Sequence, residues 1–368
     1  MNVVWLNHRD PEHPRAGGAE RTIFEVGRRL VHRGHQVTVV AAAWPGAPLS
    51  STRDGVRFVR SGRRFRPHLA GLRAIVRETP DVVVDDLAHA MPWATPWFTG
   101  APTVVFFRHL HARTLPGQVS GPAARLLALV ERRYAAIYPH ARFVVESPSS
   151  LQDLVRLGVA SGRIDAIPPG VDLERFVPGV RSPDPLGFYF GGYRRYKRPE
   201  TTLDLLDRLA VRGRACRFAF AGATVVTSGL GPRVRRSPAA SAIRFLGRLD
   251  DVGLAAALGT SWFNVHASIA EGWCLSAMEA AACGVPTIGY DVPGLRDSVD
   301  PGRSGLLVPD GDIEALADAA GVVLDAPDHW PRMCRTHAER FTWDRAAVGW
   351  EDALQRAASR SASTPGAG

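Results

Sequence analysis

Two successive series of short apolar segments, each alternating with stretches of helical periodicity, restrict this chain more than any single motif does. The first series lies at 3–6, 37–41, 56–59, 82–84, 103–107, 143–145 and 164–167. The second lies at 187–190, 218–221, 243–246, 263–265, 287–290 and 305–308. Runs this apolar fit parallel strands buried on both faces, with the intervening helices as crossovers. A chain of 368 residues is also too long for one core. The pattern therefore predicts an α/β protein of two doubly wound domains, 1–178 and 179–343, divided within the Pro/Gly-rich stretch 176–183. The first helix reads in detail: Ile23, Phe24, Gly27, Leu30 and Val31 form an apolar stripe opposite Arg21, Arg28, Arg29 and Arg33, and Gly34 ends it. The small, polar segment 361–368 reads as a disordered tail.

Within the second series, residues 271–286 read EGWCLSAMEAAACGVP. Good helix formers follow Ser276, and Gly284 and Pro286 stop the helix. The amides of Trp273, Cys274, Leu275 and Ser276 then surround a helix N-terminus, an anion site suited to a pyrophosphate. Glu271, just before it, would repel phosphate and is better placed to accept from sugar hydroxyls. Glu279, about two turns on, could hold a second polyol. Sugar, phosphate and ribose together describe a nucleotide sugar.

These residues resemble the E-x7-E signature of the retaining family-4 glycosyltransferases of GT-B fold (glycosyl transferases group 1), written EGFGL followed by EAMACG-P. Both glutamates, Gly272, Leu275, Ala280, Gly284 and Pro286 are kept, whereas Trp273 and Cys274 stand where the family has another aromatic and a glycine. Other stretches are similar in the same order: Gly17-Gly18-Ala19-Glu20 with LVHRGHQVTV at 30–39, VES at 145–147, IPPGVDLERF at 167–176, GRSGLLVP at 302–309 and FTW at 341–343. The resemblance implies two Rossmann-like domains facing each other across a cleft. The N-terminal one would bind the acceptor and the C-terminal one the nucleotide sugar, with a closing helix at 344–360 crossing back to the first domain. It implies a metal-independent, hexosyltransferase-like enzyme without a cofactor. The acceptor hydroxyl would belong to a lipid-linked, cell-envelope or natural-product glycan, as in polysaccharide or glycoconjugate biosynthesis.

The resemblance also assigns roles. Lys197, in GGYRRYKRPE at 191–200, falls on the lysine that neutralises the donor diphosphate, and Gly192 falls where the family has an arginine, so Arg194 or Arg195 is expected as the second cation. His109 falls on a histidine facing acceptor and donor sugar, with His111 as its rival. Catalysis would thus rest on Glu271, Lys197 and His109. The donor would be bound by Gly17, Gly18, Arg194, Lys197, Glu271, Gly272, Trp273, Cys274, Leu275, Ser276 and Glu279. Asp297, in DVPGLRD at 291–297, stands where the family loop ends in glutamate.

Composition narrows the alternatives. No apolar run is long enough to span a bilayer, no secretion signal opens the chain, and four cysteines without C-x-x-C spacing read as reduced thiols in a cytoplasmic protein. The net charge is +9, and of 45 basic residues only Lys197 is a lysine. That balance favours anionic partners. An arginine-rich nucleic-acid-binding protein is the alternative from another class, but nucleic acid is not an expected partner, since no basic stretch is interleaved with aromatics. A peripheral contact with anionic membrane at the inner face is expected from Arg60, Arg63, Arg64, Arg66, Arg73 and Arg77, beside a helix whose stripe is Leu69, Leu72 and Val76. Gly17-Gly18 is not GxGxxG, which counts against a dinucleotide oxidoreductase. The pair Asp85-Asp86 reads as loop capping rather than a metal site. A sugar-nucleotide epimerase or phosphorylase of the same fold is the enzymatic alternative. A phosphorylase would require a further lysine for pyridoxal phosphate.

Overall fold

A computed structural model describes residues 1–61, 67–88, 90–222 and 230–362. Contacts divide the chain into two compact units, 1–115 with 119–170 and 343–368, and 116–118 with 171–342. The N-terminal unit contains β1 (Asn2–Leu6), α1 (Gly18–His32), β2 (Gln36–Ala41), β3 (Ser50–Arg53), β4 (Val56–Arg60), α2 (Pro67–Glu78), β5 (Val82–Asp86), β6 (Thr103–Phe107), α3 (Gly121–Glu131), α4 (Tyr134–Ile137), β7 (Arg142–Val145), α5 (Pro148–Arg156) and β8 (Ile164–Ala166). Its sheet runs β3-β4-β2-β1-β5-β6-β7-β8 and is parallel except for the edge strand β3. β3 was not expected from the sequence. Its residues are Ser, Thr and Arg, and three of the four are exposed, so no apolar period marks it.

The C-terminal unit contains β9 (Leu186–Phe190), α6 (Pro199–Val211), β10 (Arg217–Ala221), α7 (Leu230–Val234), β11 (Ile243–Gly247), α8 (Asp251–Gly259), β12 (Phe263–His266), α9 (Leu275–Ala282), β13 (Thr287–Tyr290), α10 (Leu295–Ser298), β14 (Gly305–Val308), α11 (Ile313–Asp325) and α12 (Trp330–Ala338). Its sheet, β11-β10-β9-β12-β13-β14, is parallel throughout. Both units are Rossmann-like, as the alternation predicts. In each, strand order reverses beside the first strand, at β1/β5 and at β9/β12. The carboxyl ends flanking such a reversal are where open α/β sheets hold ligands.

The final helix, α13 (Trp343–Ala362), belongs to the N-terminal unit. Trp350 stacks on Trp5 of β1 at 4.6 Å and meets Phe106 of β6 edge-on at 4.8 Å. Gly349 lies against Ile167, and Glu351 accepts from Arg33 and pairs with His35 at 2.8 Å. Two buried tryptophans and an alanine face explain why this helix packs here: burying a tryptophan is among the largest apolar gains a helix can offer.

Several expectations need correction. The boundary lies at 170 rather than 178, because Val171 and Phe176 are buried in the C-terminal core. α13 continues through Ser361 and Ala362, and the rest of the expected tail is outside the described residues. In α1, Val26 is buried and Val31 only half-buried. In α2, Gly71, Ala74 and Ile75 face the core, while Val76 is 78% exposed, so the expected stripe is rotated. Gly71 fits there because Trp93 and Leu6 crowd its α-carbon. Arg60 is not a surface cation: its guanidinium is fully buried, 2.6 Å from both Asp10 and Glu12. Arg63, Arg64 and Arg66 lie outside the described residues. No described helix is long and apolar enough to cross a membrane.

Candidate active site

The reversal β9/β12 positions the expected donor residues of the C-terminal unit. Beyond β9 the chain turns through Gly191 (φ +140°) into a short 3-10 turn, Arg195–Lys197, that ends against α6. Beyond β12 it runs through Ser268 to Glu271 and enters α9. Lys197 Nζ donates to Glu271 Oε1 at 2.9 Å, and Ser268 Oγ donates to the same oxygen at 2.7 Å. Both charged side chains are largely buried, 18% and 11% exposed. Burial works against the Lys197 charge, but the Glu271 carboxylate prevails and raises its pKa, so the lysine is protonated at neutral pH. The pair is close to neutral in sum. Lys197 therefore needs the end of α9 and a further cation beside it to attract an anion strongly.

α9 begins at Leu275 with Cys274 as its N-cap, so the Leu275 and Ser276 amides have no partner inside the helix. Cys274 takes an ordinary φ of −104°, and its buried thiol lies beside the first turn of α9, 3.4 Å from Ser276 Oγ. The glycine usual in the family is therefore not required here by the backbone. Burial, with Glu271 next, pushes the thiol up to about 11, so it stays protonated. Ser276 Oγ is 2.9 Å from His266 Nε2. Burial, with Lys197 adding to it, lowers that imidazole to about 3, which keeps it neutral. His266 was missed in the sequence, where it reads as the end of an apolar strand. Trp273 packs on Phe341 at 5.2 Å, Gly272 is buried, and Glu279, 8% exposed, lies one α9 turn beyond Leu275.

The loop after β13 holds Glu271 by its backbone. Glu271 N–H donates to Pro293 O at 2.9 Å, and Gly294, at φ +81°, approaches so closely that a β-carbon would fall 2.2 Å from Glu271 O. Asp297 accepts from Gly294 N–H at 3.0 Å and so caps α10 in the glutamate's stead. Arg194 is exposed, leans over Gly192 and bonds the Tyr196 phenol, whereas Arg195 lies against Gly117.

In the N-terminal unit, Gly17 N–H donates to Glu20 Oε2 at 2.7 Å, so a carboxylate of the chain itself already occupies the amide of the residue that caps α1. Below this turn lies a buried network that sequence reading did not find. Arg108 is 2.8 Å from Asp86 Oδ2 and 3.0 Å from Glu146 Oε1, donates to Ala19 O at 3.1 Å and covers the Phe106 ring at 3.8 Å. Asp86 also accepts from the Trp5 indole at 3.2 Å. Burial pushes Glu146 up, with Arg108 opposing, and burial opposes the Arg108 charge while Asp86 and Glu146 raise its pKa. Isolated charges in apolar-looking strand ends were the available signal. His109 Nε2 is 3.3 Å from Thr114 Oγ1, and its ring stacks on His111 at 4.7 Å. His111 is buried and its N–H donates to Glu131 at 2.7 Å, which leaves the half-buried His109 as the more accessible of the two.

Asp85 and Asp86 sit inside β5, not in a loop. Asp86 is an ion-pair partner, and Asp85 caps the turn at Thr95 through that residue's N–H and hydroxyl, at 3.2 and 2.9 Å. Burial pushes Asp85 up to about 7, against the pull of Thr95 and Tyr138. Because its folded pKa lies above the unfolded value, Asp85 favours folding at low pH and loses that contribution as pH rises from about 4 to 7. Asp85→Asn is expected to remove a slope of up to about 4 kcal/mol across that window. Urea unfolding at pH 4 and pH 7.5 measures it. Equal wild-type and variant slopes would refute the assignment.

Residues 16–175 match the family described as Glycosyltransferase Family 4, and residues 184–326 match Glycosyl transferases group 1. A D-inositol 3-phosphate glycosyltransferase of Catenulispora acidiphila is 30% identical over 391 residues, covering 93% of this chain and 90% of its own. A GDP-mannose-dependent alpha-mannosyltransferase of Mycobacterium tuberculosis is 28% identical, covering 90% of each chain. Among solved structures, sucrose-phosphate synthase of Thermosynechococcus elongatus superposes with a TM-score of 0.82 at 21% identity, over 97% of this chain and 98% of that one. An Anabaena protein solved with UDP and glucose gives 0.72 at 15% identity, over 97% and 100%. Two Rossmann-like units with this site define a glycosyltransferase of GT-B fold. The chain belongs to the family-4, group 1 glycosyltransferases.

Proposed function

We propose that the enzyme is a retaining, metal-independent glycosyltransferase whose donor is a nucleoside-diphosphate sugar. The observation that carries this reading is the Lys197–Glu271 pair at 2.9 Å, placed directly before the free amides of α9. The amides of Leu275 and Ser276, with Lys197, would hold the diphosphate, and Arg194, exposed on its turn, is the nearer choice for a second cation than Arg195. Glu271 would accept from the sugar and Glu279 from the ribose. His109 would face the acceptor hydroxyl. Glu271 already accepts from Lys197 and Ser268, which makes it a poor nucleophile. Departure of the diphosphate with attack from the same face, stabilised electrostatically, is therefore the preferred course.

The named relatives act on D-inositol 3-phosphate and on GDP-mannose. The first favours a polyol phosphate as acceptor and the second a nucleoside-diphosphate sugar as donor, and in a cytoplasmic enzyme a peripheral contact with anionic lipid would suit a lipid-linked acceptor. Incubation with a panel of nucleotide sugars should give slow donor hydrolysis with one of them. NMR of the transferred sugar should then show the donor's anomeric configuration, and inversion would overturn the retaining course. Glu279→Ala should weaken binding of the nucleoside diphosphate product by about 1.5–3 kcal/mol, the worth of a hydrogen bond to a charged acceptor. Unchanged affinity in calorimetry would sink the ribose assignment.

A further inference from the structure

We infer that Arg198 is a positioning residue of the donor site, clamping the turn that carries Lys197 to the strand end that leads to Glu271. The consequence for turnover rests on the function proposed above; the clamp itself rests on geometry alone.

Arg198 sits at φ +45°, ψ +52°, in the left-handed region that any residue with a β-carbon enters at a cost. Pro199, the first residue of α6, disfavours the right-handed alternative. The conformation aims the guanidinium along the carboxyl ends of three neighbouring strands. Nε donates to Ala267 O at 2.5 Å and Nη2 to Ser268 O at 3.1 Å, both just beyond β12. The group lies 5.0 Å from the Tyr290 ring of β13 and pairs with Asp310 beyond β14. On the other side of Lys197, Tyr196 O accepts from Ile269 N–H at 2.8 Å. The lysine is thus bracketed by two ties to 267–269, the segment whose Ser268 hydroxyl holds Glu271 at 2.7 Å.

A planar fork holds its donors in fixed, divergent directions and so matches two successive carbonyls and a carboxylate together better than the compact ammonium of lysine does. Glycine would suit the backbone better than arginine, yet arginine stands here. That combination fits a residue whose side chain sets geometry rather than one that merely fills a turn.

Lys197 is the only lysine of the chain, so its ε-amine reports on the clamp without interference from other lysines. Competitive acylation of the full-length protein, read by peptide mapping, measures its reactivity. Arg198→Gly, which relaxes the backbone, should melt within a few degrees of wild type yet acylate at Lys197 at least tenfold faster. With whichever nucleotide sugar the wild type turns over, kcat should fall tenfold or more with a smaller change in KM, and added methylguanidinium should restore part of it. Arg198→Gln, the second variant, keeps Lys197 as the sole lysine; it should acylate faster there as well and gain little from methylguanidinium, because its own amide fills part of the vacated space. Wild-type acylation in both variants would overturn the clamp. Loss of kcat that only tracks the folded fraction, without rescue, would assign Arg198 a structural role and overturn the positioning one. If the wild type turns over no nucleotide sugar, the proposed function fails, and the acylation rates still decide whether the clamp exists.

Discussion

Lys197→Ala lowers kcat by about 10² to 10³, the loss typical of removing one preorganised charge from a site where negative charge develops. Two effects add. The departing diphosphate loses a protonated amine whose pKa is held up by Glu271. Glu271 in turn loses its ammonium partner, 2.9 Å away, and keeps the Ser268 hydroxyl. A carboxylate left this way beside the α9 amides competes with the phosphate for the same helix end. KM for the donor should rise much less than kcat falls, and steady-state kinetics separate the two. A pure KM effect would mean that Lys197 anchors the ground state and does not assist departure.

Arg108→Met destabilises the protein by about 3–5 kcal/mol, as expected when one partner of a buried ion pair is removed. Asp86 and Glu146 stay behind, 0% and 7% exposed in their side chains, and neither can reach water without opening the sheet. The Ala19 carbonyl at the start of α1 also loses its side-chain donor, so the Gly17–Glu20 turn should loosen. Urea unfolding reads the first effect and amide exchange at Gly18 and Ala19 the second. Adding Asp86→Asn and Glu146→Gln to Arg108→Met should recover part of the loss, since neutral groups cost less to bury. A loss under about 1 kcal/mol would show that the three charges are solvated in solution.

The fold was legible because its information is periodic. Strands such as Asn2–Leu6 and Thr103–Phe107 are apolar after their first residue, and Gly34 and Gly284 end their helices at φ +87° and +77°. What escaped was carried by contacts distant in sequence. Arg60 and Arg108 look like two more arginines in an arginine-rich chain, yet each is buried because carboxylates from 22 to 50 residues away come to meet it. β3 has no apolar period, and Val76 lies on the wrong side of a stripe that Leu72 alone could not orient.

At the site, the glutamates and the lysine were legible because their chemistry and their order along the chain are enough to name them. The roles of neighbours that act through shape were not: Gly294 against Glu271 O, His266 against Ser276 and Arg198 in its left-handed turn leave no local signature. Cys274 shows the converse. A change from glycine that looks disruptive in sequence is accommodated by a backbone any residue can adopt.

The most direct test of the account is calorimetric titration of the wild-type protein and of Lys197→Ala with UDP, GDP, ADP and TDP. One of these nucleotides should bind the wild type with a micromolar Kd, and the alanine variant should bind it at least tenfold more weakly. Equal affinity in the two proteins, or no binding of any of the four by folded wild-type protein, would contradict a diphosphate held by Lys197 at the start of α9.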